Sequence, residues 1–151
     1  MEKEEVKKIT AENIHLRLAD VQFKALPQVD GNFQVVSFDS VDVKSASKEG
    51  FSILFSREVH LNPNAIFSLM VSFEVLGTFD QASLDLYKND PQGFARWVSK
   101  YQDNLVSDSG APRLASALIA SITSYDSLNP VVLPPVLHKR KEANSDAKSA
   151  K

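Results

Sequence analysis

The sequence contains no cysteine, and its 151 residues include only one tryptophan and five glycines. The absence of cysteine excludes disulfide bonds, thiol catalysis and cysteine-ligated zinc sites. No apolar run approaches the roughly 18 residues that a membrane-spanning helix requires. The acidic N-terminus is not followed by the apolar stretch of a signal peptide. Together these absences predict a cytoplasmic protein without membrane insertion.

Charge is distributed unevenly along the chain, although the net charge is only −2. Residues 138–151 carry five basic and two acidic side chains, so the rest of the chain is acidic overall, which argues against nucleic-acid binding. The same segment has no large apolar residue. It could dock an acidic partner, but a solubilising end is the favoured interpretation. The predicted organisation is a charged N-terminal segment 1–10, a single domain 11–137 and a disordered basic tail 138–151.

The first half of the chain alternates apolar and polar residues with the period of two that is typical of β-strands. Strands are predicted at about 14–25, 33–44, 51–61 and 65–79. The alternation changes phase at Ala19-Asp20, which predicts a β-bulge. In the third segment, Arg57 is the one interruption of an otherwise apolar parity. Turn residues between successive strands favour an antiparallel meander.

The second half changes to helical periodicity. Asp90-Pro91 predicts a helix start, and a stripe of larger side chains follows. That stripe comprises Phe94, Trp97, Val98, Tyr101 and Leu105. A second helix, predicted from about 109 to 124, carries apolar residues among alanines and serines, namely Leu114, Leu118, Ile119 and Ile122. The pattern of this helix is about equally compatible with an oligomer contact and with burial within its own subunit. The expected fold class is α+β, a four-stranded, meander-like antiparallel sheet with helices packed on one face.

No pattern of catalytic or metal-binding residues is present. His15, His60 and His138 have no partner at metal-ligand spacing and are interpreted as solvated. The sequence has no phosphate-binding loop, dinucleotide fingerprint or nucleophile elbow. We therefore expect a protein that is not an enzyme and that needs no cofactor.

The strands carry more large apolar residues than one sheet face requires. The second face is expected to include Ile66, Met70 and Leu76, together with Val36 and Phe38. Such a face must be covered by a helix, a partner subunit or a ligand.

Two stretches resemble the SecB family of protein-export chaperones. One runs from the small-residue helix 112–124 into the proline-bearing segment Leu128-Asn129-Pro130-Val131-Val132-Leu133-Pro134-Pro135-Val136. The other is Ala19-Asp20-Val21-Gln22-Phe23-Lys24-Ala25-Leu26-Pro27, which resembles the opening strand of that family. The order of elements matches over about residues 12–137.

The resemblance implies a homotetramer, built as a dimer of dimers, that holds unfolded polypeptides and passes them to a translocase motor ATPase. On this chain it implies a client groove at the crossover segment 125–137, with strand residues beneath. The implied groove residues are Tyr125, Leu128, Val131, Leu133, Val136, Leu137, Val36 and Phe38. The residues implied for the oligomer interface are Leu114, Leu118, Ile119 and Ile122.

The chain departs from the family in two ways. It turns polar at His138, where the family has a second long helix, and its tail is basic where the family's is acidic. A chaperone dedicated to one client, such as an antitoxin, is therefore an alternative to an export chaperone. Two further alternatives are a small apolar-ligand binding protein and a structural assembly subunit.

Overall fold

The computed structural model describes residues 9–63, 65–124 and 130–139. In these residues the order of elements is four strands followed by three helices, which confirms the predicted α+β class. The strands are β1 (Ala11–Ala25), β2 (Gln34–Ser47), β3 (Gly50–Asn62) and β4 (Phe67–Phe79). The helices are α1 (Gln81–Leu86), α2 (Gln92–Ser109) and α3 (Ala111–Thr123).

The four strands form one antiparallel sheet in the order β1-β4-β3-β2. Strands β2, β3 and β4 follow one another as a meander, as the turn residues predict. Strand β1 differs, because it pairs with β4 at one edge rather than with β2. Beyond β1 the pairing continues, since the N–H of Leu26 donates to the carbonyl of Ile66 and the N–H of Ile66 to that of Pro27. The connection to β2 therefore joins the two edge strands.

The turn between β2 and β3 depends on a glycine. Ser47 pairs with Gly50, which leaves Lys48 and Glu49 as the two turn residues. Gly50 has φ of +134°, and a Cβ there would lie 2.5 Å from the carbonyl oxygen of Gly77. Only glycine fits this backbone, so the predicted turn signal has a steric cause.

The predicted bulge in β1 is confirmed. Leu18 pairs with Phe73 and Asp20 with Ser72, so Ala19 is left without an opposite residue. The extra residue restores the phase of the alternation, and Leu18 and Val21 consequently point to the same face. Two further register shifts lie between Glu12 and His15 in β1 and between Val43 and Ser45 in β2.

The hydrophobic core lies between one sheet face and α2 and α3. The aromatic residues at one end show the packing: Phe79 lies 4.6 Å from Phe94 and 5.8 Å from Trp97, measured between ring centroids. Phe94 and Val98, both on the predicted stripe of α2, are fully buried. The sheet residues of this core are Phe51, Ile53, Phe55, Val59, Leu61, Phe67, Leu69, Val71, Phe73, Val75 and Phe79.

Helix α1 is not among the elements predicted from the sequence. Its N-cap is Asp80, whose carboxylate accepts the N–H of Ser83 at 2.8 Å. The hydroxyl of Ser83 in turn accepts the N–H of Thr10, which joins α1 to the start of β1. At α2 the N-cap is Pro91 without a side-chain hydrogen bond, one residue beyond the predicted Asp90. A six-residue helix is too short to reveal itself by periodicity.

Glu74, on the sheet face opposite the helices, makes stability depend on pH. The hydroxyl of Ser52, at 2.8 Å, and the guanidinium of Arg17 hold the pKa of Glu74 below its ordinary value of 4.5. A lowered folded pKa contributes stability that is complete above the unfolded pKa and is lost as pH falls through the folded pKa. We expect Glu74→Gln to lose less stability than the wild type between about pH 6 and about pH 3 in urea unfolding. Parallel pH curves for the two proteins would contradict this assignment.

Candidate functional site

A buried arginine organises the helix side of the sheet. Arg57, which interrupts the apolar parity of β3, is 2% exposed and forms a two-pronged ion pair with Asp39 of β2 at 2.7 and 2.8 Å. Its remaining donors reach α3 and residues 130–137, the described part of the crossover segment. They bond to the carbonyl oxygens of Pro112, Pro134 and Val136 and to the hydroxyl of Ser116. One side chain thus joins two strands, a helix and the crossover, and a buried charge requires such complete pairing.

The crossover is bound along its described length. The N–H of Val131 donates to the hydroxyl of Thr123 at 2.8 Å, beside the end of α3. At the other end, the N–H of His138 donates to the carboxylate of Asp39, and the N–H of Asp39 donates to the carbonyl of His138. Lys139 pairs with Asp103 of α2 at 3.1 Å. His138 and Lys139, assigned from the sequence to the tail, are therefore attached to the domain, and residues 140–151 lie outside the described part.

The implied groove residues are not brought together in the described chain. Leu133 is buried in the subunit's own core, Val131 and Leu137 are half-buried, and Val136 is 61% exposed. Val36 and Phe38 lie on the opposite sheet face, since Val36 pairs with His60 and Phe38 with Glu58. Tyr125 and Leu128 lie outside the described residues. The groove assignment stays a prediction, and it joins residues from two faces of the sheet.

The residues predicted for the oligomer interface divide in a similar way. Ile119 is fully buried and packs within its own subunit. Leu114 is 41% exposed, and Leu118 and Ile122 are half-buried. These three residues are spaced at i, i+4 and i+8 and so form one stripe along α3.

The largest apolar exposure on a strand is on β1. Leu18, Val21 and Phe23, here called the β1 strip, are 51%, 38% and 47% exposed. Their register partners on β4 are Phe73, Val71 and Leu69, which share the helix-facing side and are buried.

The side chains on this face therefore change from buried on β4 to exposed on β1, across a single strand spacing of about 4.8 Å. This change follows from the placement of the helices, because α3 packs on β4 and β3, and α2 lies mainly on β2. Neither helix covers the middle of β1.

The sequence pattern could not locate this strip. Alternation shows that Leu18, Val21 and Phe23 share a face, but it does not show which strand the helices leave uncovered. Strand β1 is also an edge strand, so half of its backbone N–H and C=O groups point away from β4. Its opposite face is polar, with Arg17, Asp20, Gln22 and Lys24.

The sheet face away from the helices is mixed rather than apolar. Met70 and Leu76 are half-buried there, among polar neighbours such as Glu74 and the hydrogen-bonded pair Ser56 and Ser72. Ile66, expected on this face, is buried immediately before β4. The exposed apolar side chains of the strands therefore lie chiefly on the sheet face that carries the helices, not on the opposite face.

In the residues that the structure describes, no group of three histidine or acidic residues could hold a metal ion. His15 and His138 are exposed and His60 is half-buried. No helix within the described ranges is long and apolar enough to cross a membrane.

Comparison with known proteins finds matches among solved structures. No protein-family model matches the sequence, and no curated protein matches it. Among solved structures, the chain is similar to a SecB-like chaperone from Mycobacterium tuberculosis in complex with a ChAD peptide from the HigA1 antitoxin. The TM-score is 0.47 and the sequence identity 14%, over 83% of this chain and 89% of that chain.

Proposed function

We propose that the protein is an ATP-independent chaperone that holds non-native polypeptides in extended form along β1. The observation that carries this proposal is the β1 strip. It presents three apolar side chains at alternate backbone levels on a strand whose outer edge is unpaired within the described chain. An extended segment can add to such an edge through main-chain hydrogen bonds and place its own apolar side chains over the strip.

The chemistry of this surface favours broad rather than sequence-specific binding. Apolar burial is non-directional, and main-chain pairing reads no side chain. A folded client has already paired its strands and buried its apolar residues, so it offers neither free main-chain groups nor exposed apolar side chains. The surface therefore selects for the unfolded state. Release needs no nucleotide, because a client leaves when its own folding buries the same residues.

The expected strength of one strip indicates that several must act together. Covering three half-exposed apolar side chains contributes about 3 kcal/mol. Micromolar binding corresponds to about 8 kcal/mol, so pairing along the edge and a second strip on another subunit are both needed. We propose a homo-oligomer, in the form of a tetramer built as a dimer of dimers, that joins through the stripe of Leu114, Leu118 and Ile122.

The oligomer is tested by Leu114→Asp. Leu114 is 41% exposed in the single chain, so the carboxylate would be hydrated in the monomer and desolvated only at an interface. We expect light scattering to show a smaller species than the wild type with unchanged circular dichroism. Arg113→Asp, on the adjacent exposed position, is the matched control. If both variants keep the wild-type mass, the interface is elsewhere.

The function is tested by aggregation suppression. The protein should reduce light scattering from a chemically unfolded test protein at near-stoichiometric ratio, without ATP. It should bind the reduced, unfolded form of a client and should not bind the native form of the same client. Failure to delay aggregation at a several-fold excess would refute the proposal and would favour a structural subunit.

Two specialised forms of this function follow from the resemblance. An export chaperone in the cytoplasm would bind many unfolded precursors and a translocase motor. A chaperone dedicated to one client would bind a single sequence, for example that of an antitoxin. Competition between unrelated unfolded proteins distinguishes the two, since only the first form predicts mutual displacement.

A further inference from the structure

A cleft of about 840 Å³ lies between the β2–β3 turn and the start of the helical region. Lys48 and Glu49 of the turn form one side, and Leu84, Tyr87 and Phe94 of the helical region form the floor and the other side. The cleft adjoins β2, the opposite edge strand from β1. It is therefore separate from the β1 strip, and the proposed function does not use it.

The floor of the cleft is apolar and firmly packed. Phe94 is 1% exposed, and the ring of Tyr87 meets it edge-on with 5.1 Å between centroids. Gly93 makes this packing fit, because a Cβ at that position would overlap the Tyr87 ring. Leu84 is half-buried against the same core. The volume falls within the roughly 300–1,000 Å³ that is usual for small-molecule sites.

The rim of the cleft carries an excess of positive charge. Lys48 of the turn and Lys88, which follows α1, both line the cleft, and neither forms an ion pair with any residue in the described ranges. Glu49 is the one acidic side chain on the lining, so the lysines outnumber it by two to one. An unpaired lysine beside apolar surface can offer its ammonium to an anion while its methylene groups cover the ligand.

We propose that this cleft binds a small amphiphilic anion, an apolar chain or ring that ends in a carboxylate. The apolar body would lie over Leu84, Tyr87 and Phe94, and the carboxylate would lie between the ammonium groups of Lys48 and Lys88. Both parts are required. An apolar cation would be repelled by the two lysine ammonium groups, and a small inorganic anion would leave the apolar floor of the cleft uncovered.

The probe is octanoate, used below its micelle-forming concentration, with octylamine and acetate as matched probes. Binding is followed by calorimetry and by the fluorescence of Trp97, the single tryptophan, which contacts Phe79 and through it Phe94. We expect saturable binding of octanoate, and weaker binding of octylamine and acetate. Absence of saturable octanoate binding, or equal affinity for octylamine, would overturn the proposal.

Three neutral substitutions give expected effects of opposite sign. Lys48→Gln and Lys88→Gln should each weaken octanoate binding about two- to five-fold, as expected for one exposed charge pair. Glu49→Gln should strengthen it by a similar factor. All three side chains are exposed, so the substitutions should leave folding unaffected. Unchanged affinity in all three variants would show that the rim charges play no part and would contradict the proposed ligand class.

Discussion

Arg57→Met is expected to destabilise the protein by about 3–5 kcal/mol, a large part of the stability of a domain of this size. The methionine can occupy the apolar space of the arginine but leaves Asp39 as an unpaired buried carboxylate. It also removes the donors for the carbonyl oxygens of Pro134 and Val136, which attach the crossover to the sheet. The loss is measured as a lowered midpoint in urea unfolding.

A companion variant keeps this prediction testable if Arg57→Met does not fold. In Arg57→Met combined with Asp39→Leu, the orphaned charge is gone and an apolar pair replaces the ion pair, so stability should recover in part. Arg17→Gln is the matched control, because the Arg17–Glu74 pair is exposed on the arginine side and should be worth less than about 1 kcal/mol. Equal effects of Arg57→Met and Arg17→Gln would show that the buried pair is not the anchor.

Simultaneous replacement of Leu18, Val21 and Phe23 by serine is expected to weaken client binding about a hundred-fold for each strip that a client contacts. The estimate follows from removing about 3 kcal/mol of apolar burial at one strip, so a client that spans two strips would lose more than one that contacts a single strip. The fold should persist, because these side chains are already 38–51% exposed and their β4 partners remain covered by α3. The measurement is the concentration of chaperone needed to halve the aggregation of an unfolded test protein.

The matched control for this variant lies on the same strand. Gln22 and Lys24 alternate with the strip and point to the polar face, opposite Met70 and Ser68. Changing both to serine alters the strand to a similar extent without touching the strip, so aggregation suppression should stay at the wild-type level. If the control variant loses activity as the strip variant does, the edge strand matters for folding and not for client contact.

The strip variant also separates client binding from assembly. A second copy of the chain could cover β1 instead of a client. In that case the serine variant would change the mass found by light scattering and not only the aggregation assay. An unchanged mass with lost activity assigns the strip to clients, as we propose.

Much of the fold follows from local pattern. One parity of 51–61 and 65–79 is apolar except at Arg57, because β3 and β4 are central strands with one face packed against helices. The phase change at Ala19 predicted the bulge for the same reason, since a strand with one apolar face tolerates no uncompensated slip. Helices α2 and α3 were predictable because each carries an apolar stripe at helical spacing. Gly110, which lies between the two helices, and Pro112, in the first turn of α3, marked the boundary.

What the sequence did not indicate depends on contacts between distant segments. The pairing of β1 with β4 rather than β2 is a choice between two edges, and a turn signal after β1 does not distinguish them. Arg57 looked like an interruption of an apolar strand because its partner Asp39 lies on β2 and its other acceptors lie about 55 to 79 residues further on. The β1 strip likewise depends on where the helices end, which alternation along one strand cannot report.

Hydrogen exchange of backbone amides with and without an unfolded client tests the central claim most directly. Addition of a client strand to the sheet predicts new protection at the β1 amides that point away from β4, with little change in β3, which is already paired on both sides. Protection confined to other segments, with β1 exchanging as fast in the complex as in the free protein, would contradict it.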